Sequence, residues 1–161
     1  MATREVTLRP GQPRDIAEVD ALMAAAFDPR FGEAWTHGQV LGVLAMPGVR
    51  LLLAQVDDQP AGFALARTVV DEAELLLLAV APDHRRRGIG GTLMRAVIAE
   101  VRHAGATTLH LEVRAGNPAC RLYEAHGFGK SGERRGYYQT RGGGPIDAHS
   151  YRLALRPGDG G

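Results

Sequence analysis

Glu74-Leu75-Leu76-Leu77-Leu78-Ala79-Val80-Ala81-Pro82-Asp83-His84-Arg85-Arg86-Arg87-Gly88-Ile89-Gly90-Gly91 is the stretch that decides the fold. Its first part is an almost unbroken apolar run, the pattern of a central strand covered on both faces, and Pro82 ends it. After the glycines, Leu93, Ala96, Val97 and Val101 fall on one stripe with Arg95, Arg102 and His103 off it, so a helix follows, and Gly105 closes it. Strand, glycine turn and helix in that order make a phosphate cradle. Glycines let successive N–H groups converge, the helix N-terminus adds a positive dipole, and Arg85, Arg86 and Arg87 add mobile charge. Leu93 stands where a dinucleotide fingerprint has its third glycine, and no Gly-Lys-Ser/Thr is present, so neither NAD nor ATP is the expected ligand. The competing reading is a tight connection that merely needs Gly88 and Gly90.

Working outward, Val6 and Leu8 suggest a first strand over 3–9, and Pro13 suits the first turn of a helix. Ile16, Val19, Met23, Ala26 and Phe27 then recur at helical spacing until Asp28-Pro29. Thr36-x-x-Gln39 is a capping box, with Trp35 and Val40 in the flanking staple positions, and opens a second helix that Gly38 and Gly42 weaken. Strands are expected over 49–56 and 61–70, joined by a turn at Asp57-Asp58-Gln59-Pro60, with the next turn at Asp71-Glu72. Residues 107–113 alternate: Leu109, Leu111 and Val113 share one face, and Thr108, His110 and Glu112 the other. Asn117 as N-cap, Pro118 in the first turn and Gly127 past the end frame a short helix over 119–126 that carries Tyr123. A strand from Phe128, a glycine loop over 141–145 and a last strand over 148–155 complete the chain. The fold class is α/β, a mixed, twisted sheet flanked by helices in one domain over 1–156, with a disordered tail at 157–161.

The chain has 161 residues, 19 Lys+Arg against 18 Asp+Glu and a net charge of +1, so no global field favours nucleic acid or an anionic membrane. Positive charge matters where it clusters, as at Arg85–Arg87. The single cysteine, Cys120, excludes an internal disulfide and is expected as a small buried helix residue rather than a nucleophile. The six histidines show no ligand-like spacing, so no metal is expected. With no run of membrane-spanning length and no apolar core in Met1-Ala2-Thr3-Arg4-Glu5, the expectation is a soluble, cytoplasmic protein.

Ala79-Val80-Ala81-Pro82 leading into Arg-x-x-Gly-x-Gly resembles the coenzyme A pyrophosphate loop of the GNAT acetyltransferase superfamily. Leu109-His110-Leu111-Glu112-Val113-Arg114-Ala115-Gly116-Asn117, Leu122-Tyr123-Glu124-Ala125-His126-Gly127-Phe128 and Arg134-Arg135-Gly136-Tyr137-Tyr138 are similar to its bacterial branch that acetylates the N-terminal alanine of a ribosomal protein. The resemblance covers residues 69–155 well and residues 1–68 only in the order of elements. Two departures stand out: the segment between Glu112 and Tyr123 is one residue shorter, and Arg85 replaces a usual glutamine. The shortening bears on Asn117 more than on Tyr123, whose spacing to Gly127-Phe128 is kept.

The resemblance implies a sheet splayed between two adjacent strands, with acetyl-CoA as co-substrate in the splay. Backbone groups of Leu78, Ala79 and Val80 would hold pantetheine and thioester. Arg85, Arg86, Arg87, Gly88, Ile89, Gly90 and Gly91 would hold the pyrophosphate, and Asn117 the arm. Acyl transfer needs a base for the ammonium and an acid for the departing thiolate. Glu112 matches the family's glutamate as base, with Glu72 or Glu74 as alternatives acting through water, and a surface carboxylate paired with Arg114 or Arg102 as the bland reading. Tyr123 is the expected acid, because a phenol and an alkyl thiol have similar pKa values; otherwise it packs under its helix. Arg134-Arg135 with Tyr137-Tyr138 is expected to contact a peptide rather than nucleic acid. The favoured acceptor is a protein N-terminus, with a ribosomal protein as partner and the enzyme a monomer or homodimer. The alternatives are a small amine (polyamine, amino acid or antibiotic) and a non-catalytic acyl-CoA-binding regulatory module.

Overall fold

A computed structural model describes residues 5–85, 87–140 and 142–156. The strands are β1 (Val6–Pro10), β2 (Val49–Val56), β3 (Gln59–Val69), β4 (Glu72–Val80), β5 (Thr108–Arg114), β6 (Gly129–Gln139) and β7 (Pro145–Ala154). The helices are α1 (Ile16–Ala26), α2 (His37–Leu44), α3 (Ile89–His103) and α4 (Ala119–Ala125). All seven strands form one sheet in the order β1-β2-β3-β4-β5-β7-β6, antiparallel except for the parallel β4–β5 pair.

Two apolar layers sandwich the first half of this sheet. Leu51, Leu53, Phe63 and Leu65 face Val19, Leu22 and Met23 of α1 and Val40 of α2. Leu52, Ala54, Ala64 and Ala66 face Ile89, Leu93, Met94, Val97 and Val101 of α3. Burial on both faces is why β2, β3 and β4 read as continuous apolar runs. In β5 only Leu109, Leu111 and Val113 join the α3 layer. The opposite face, carrying His110 and Glu112, forms a groove of about 350 Å³ with Arg67, Glu72, Glu74 and Ser150.

Local chemistry sets the joints. The hairpin after β2 is a two-residue turn in which Asp57 and Asp58 have φ of 52° and 63°, so β3 begins at Gln59, earlier than the sequence suggests. The next turn falls on Val70-Asp71 rather than Asp71-Glu72, with Val69 paired to Glu72. The capping box at Thr36 forms as expected: Gln39 N–H donates to Thr36 Oγ1 and Thr36 N–H to Gln39 Oε1. The expected tail at 157–161 lies outside the described residues.

Two irregularities in register shape the functional region. Leu65 pairs with Leu77 but Ala66 with Leu75, which makes Leu76 an extra residue in β4. Leu76 and Leu77 consequently both turn toward the α1/α2 layer, whereas Leu75 and Leu78 face α3. β4 and β5 pair only from Glu72↔Thr108 to Leu75↔Leu111, although β4 runs on to Val80 and β5 to Arg114. Beyond that point the two strands part.

Candidate active site

The parting of β4 and β5 opens a cleft of about 690 Å³. Leu75 to Val80 line one wall and Leu111 to Arg114 the other, while Gly88, Ile89 and Gly90 at the start of α3 close one end. Glu112 belongs to the sheet face shared with α1 and α2, and Tyr123 to the α3 layer, yet both line the cleft. A gap through the sheet brings together side chains from its two faces.

At the head of α3, Gly88 is the N-cap with φ +75°, a left-handed conformation that strains any side chain. A Cβ on Gly90 would sit 3.2 Å from Leu122 Cδ2, so glycine lets the start of α3 approach α4. The first-turn N–H groups of α3 have no carbonyl partner within the helix, which suits an anion. Leu78, Ala79, Val80, Arg85, Gly88, Ile89, Gly90 and Asn117 all border the cleft; Arg87 and Gly91 do not. Arg85 Nη2 donates to the Ala26 carbonyl at the end of α1 at 2.8 Å, which ties the turn before α3 to α1. Arg86 lies outside the described residues.

Tyr123 is 6% exposed, packed edge-on to Phe128 with ring centroids 5.9 Å apart. Burial pushes its phenol well above the ordinary value, aided by Cys120 and Glu33, so the hydroxyl is held protonated. The price is a weaker acid than the free phenol from which a match to the thiol is argued. Tyr123 lines the cleft. Pro118, rather than the expected Asn117, holds the N-cap position of α4, and Asn117 Oδ1 just before it accepts from Ala119 N–H at 2.9 Å.

Glu112 is paired neither with Arg114 nor with Arg102. Its Oε2 lies 3.0 Å from Arg134 Nε of β6. Glu72 and Glu74 lie along the open groove and are absent from the lining of the main cleft. Arg114 is spoken for elsewhere: its Nε donates to Glu33 Oε1 at 3.2 Å, and its guanidinium lies 3.7 Å from the Phe31 ring centroid. Glu33 Oε2 also accepts from Asn117 Nδ2 at 2.9 Å.

This network runs from the loop between α1 and α2, through the end of β5, to the start of α4. Phe27, Phe31, Glu33 and Trp35 of that loop, with Tyr138 of β6, complete the far side of the cleft. Burial, and then the carboxylates of Glu33 and Glu112, push the Tyr138 phenol up to about 12. Glu33 carries no sequence signal, because its burial arises only when a loop some eighty residues away folds onto Arg114. Tyr138 was visible in Arg134-Arg135-Gly136-Tyr137-Tyr138, but its direction depends on a break in β6. The pairing of β6 with β7 shifts between Arg134 and Tyr138, where Gly136 has φ +63°.

The sequence model of the Acetyltransferase (GNAT) family matches residues 19–128. The chain is 48% identical over 88 residues to the ribosomal protein bS18-alanine N-acetyltransferase of Salmonella typhimurium, covering 54% of this chain and 60% of that protein. It therefore spans somewhat under two thirds of the length of that relative. The Haemophilus ducreyi protein of the same name is 34% identical over 122 residues, covering 75% of this chain and 83% of its own. The crystal structure of the ribosomal-protein-S18-alanine N-acetyltransferase from Escherichia coli superimposes with a TM-score of 0.85 at 30% identity, covering 97% of this chain and 98% of that one. With the splayed sheet, the glycine turn at the head of α3 and a family match running from α1 to the end of α4, this chain belongs to the GNAT acetyltransferase family.

Proposed function

We propose that this protein transfers the acetyl group of acetyl-CoA to the α-amine of a protein N-terminus, with the N-terminal alanine of a ribosomal protein as the favoured acceptor. The observation that carries this reading is the gap between β4 and β5, bordered by Glu112 from one sheet face and Tyr123 from the other. The names borne by the Salmonella and Haemophilus relatives favour an N-terminal alanine over a small amine.

In this reading the backbone of Leu78, Ala79 and Val80 holds pantetheine and thioester. Arg85 and the N–H groups at Gly88, Ile89 and Gly90 hold the pyrophosphate, and Asn117 borders the arm. Glu112 accepts a proton from the incoming ammonium, which frees the nitrogen lone pair to attack the thioester carbonyl carbon. Backbone N–H groups beside the extra residue in β4 hold the negative charge that develops on the carbonyl oxygen. Tyr123 delivers its proton to the sulfur as the C–S bond breaks, and the second amine proton leaves to water, from which the phenoxide is reprotonated.

The test supplies acetyl-CoA with a peptide bearing an N-terminal alanine, and separately with spermidine. Thiol release and a mass gain of one acetyl group on the peptide's first residue are expected, and Tyr123→Phe is expected to lower kcat about a hundredfold with little change in acetyl-CoA affinity. Acetylation of spermidine alone would overturn the acceptor class. Thiol release from no amine would overturn the enzymatic reading.

A further inference from the structure

Glu112, whose carboxylate is paired with Arg134, sits where the main cleft and the open groove meet, while Arg134 lines neither. Glu112 and Leu111 line both, and Glu112 is the ionisable residue common to the two. Arg134 reaches its carboxylate from β6, at the last paired residue before the break in register with β7. The guanidinium is weakly held: the Arg134 side chain is 60% exposed, and its second contact is the Tyr137 ring, 4.6 Å from the ring centroid.

We propose that Arg134 is a placeholder for the acceptor's ammonium group, occupying Glu112 while the acceptor site is empty and giving it up, over the face of Tyr137, when an amine arrives. This inference rests on the proposed reaction. A guanidinium and an alkylammonium make the same kind of charge-assisted bond to a carboxylate, so at one oxygen they compete. In the proposal Arg134 Nε leaves Glu112 Oε2 as the amine nitrogen takes that place. An exposed pair costs little to open, so the exchange is easy, and the Tyr137 face offers the displaced cation a second resting place.

Steady-state kinetics on Arg134→Ala and Arg134→Lys test this, with acetyl-CoA and whichever amine the wild-type protein acetylates. Removing the competitor is expected to lower the acceptor KM about three- to fivefold, the ratio a surface ion pair is worth, while kcat and the KM for acetyl-CoA stay within about twofold. Arg134→Lys is expected to restore the wild-type acceptor KM. Ethylguanidinium at low millimolar concentration is expected to compete with the acceptor in Arg134→Ala and to have little effect on the wild type, whose own guanidinium already fills the position. A fall in kcat at unchanged KM would overturn the proposal in favour of a group that orients Glu112. A raised acceptor KM would overturn it in favour of direct acceptor binding, and unchanged constants with no inhibition would show the pair to be idle. If the wild-type protein acetylates no amine at all, the proposed reaction fails, and that result is separate from any difference between variants.

Discussion

Two arginine–carboxylate pairs flank the same cleft and are built in opposite ways. Glu33 and Arg114 are each 11% exposed, and every strong group around them is engaged: Arg114 stacks on Phe31 and Glu33 takes a second bond from Asn117. Glu112 and Arg134 are 21% and 60% exposed, and the arginine has only one carboxylate partner among the described residues. The chemistry of the two bonds is alike, but desolvation separates them. Two charges taken out of water depend on each other, whereas an exposed pair exchanges readily with solvent or with another cation. The buried pair acts as architecture, fastening the α1–α2 loop to the end of β5 and the start of α4. The Glu112–Arg134 pair, with its arginine 60% exposed, is the one open to exchange.

The sharpest way to break this contrast is to remove one member of each pair and measure unfolding in urea. Arg114→Ala leaves Glu33 buried without its counter-charge and is expected to destabilise the fold by about 3 to 5 kcal/mol. Arg134→Ala is expected to change stability by less than about 0.5 kcal/mol. A double replacement, Glu33→Leu with Arg114→Met, is expected to recover much of the loss, because the remaining surface is apolar and no orphan charge is left. Equal effects of the two alanine variants would erase the distinction between the pairs.

The part of the cleft around β4 and the glycine turn was largely legible in the sequence, and the part formed by the α1–α2 loop and β6 was not. Gly88, Gly90 and the apolar run before them constrain their own neighbours, so a positive φ, a strand ending at Pro82 and a helix starting at the glycines can be read within a short window. The alternation over β5 likewise placed Glu112 opposite Leu111 and Val113. The partner of Glu112 was missed, because Arg134 reaches it through β7, which lies between the two strands in space and after both in the chain. Glu33 was invisible for the same reason. It stands in a loop without periodicity, and its role exists only once Arg114 and Asn117, more than eighty residues on, close over it. The extra residue in β4 was hidden as well, since a run of four leucines shows no phase to break.

Asn117 sharpens the comparison at smaller amplitude, because it belongs to the buried network and also borders the cleft. Asn117→Ala removes the bond to Ala119 N–H at the start of α4 and one bond to Glu33, and is expected to cost about 2 kcal/mol in urea unfolding. Asn117→Ser keeps a capping oxygen and loses the reach to Glu33, so it is expected to cost about half as much. If its main work is inside the network, the Kd for coenzyme A, read by calorimetry, changes less than threefold in Asn117→Ser. A tenfold loss of affinity at intact stability would instead put the amide on the coenzyme's arm.

Tyr138 reads both pairs at once, and its effect is confined to alkaline solution. Its phenol is pushed up to about 12 by burial and by the carboxylates of Glu33 and Glu112, against about 10 in an unfolded chain. Between about pH 10 and 12 the unfolded state thus loses a proton that the folded state keeps, so the unfolded state binds fewer protons and stability falls as pH rises. The contribution is full below about pH 10 and is lost by about pH 12. Tyr138→Phe is accordingly expected to flatten the fall of the urea midpoint across that window and to leave the midpoint's pH dependence near neutrality unchanged. Ultraviolet titration of the phenol extends the test to the carboxylates. Glu33 contributes more to the shift than Glu112, so Glu33→Gln is expected to lower the Tyr138 pKa by more than Glu112→Gln. The reverse order would mean that Arg114 cancels the charge of Glu33 so completely that the exposed carboxylate, and not the buried one, dominates the far side of the cleft.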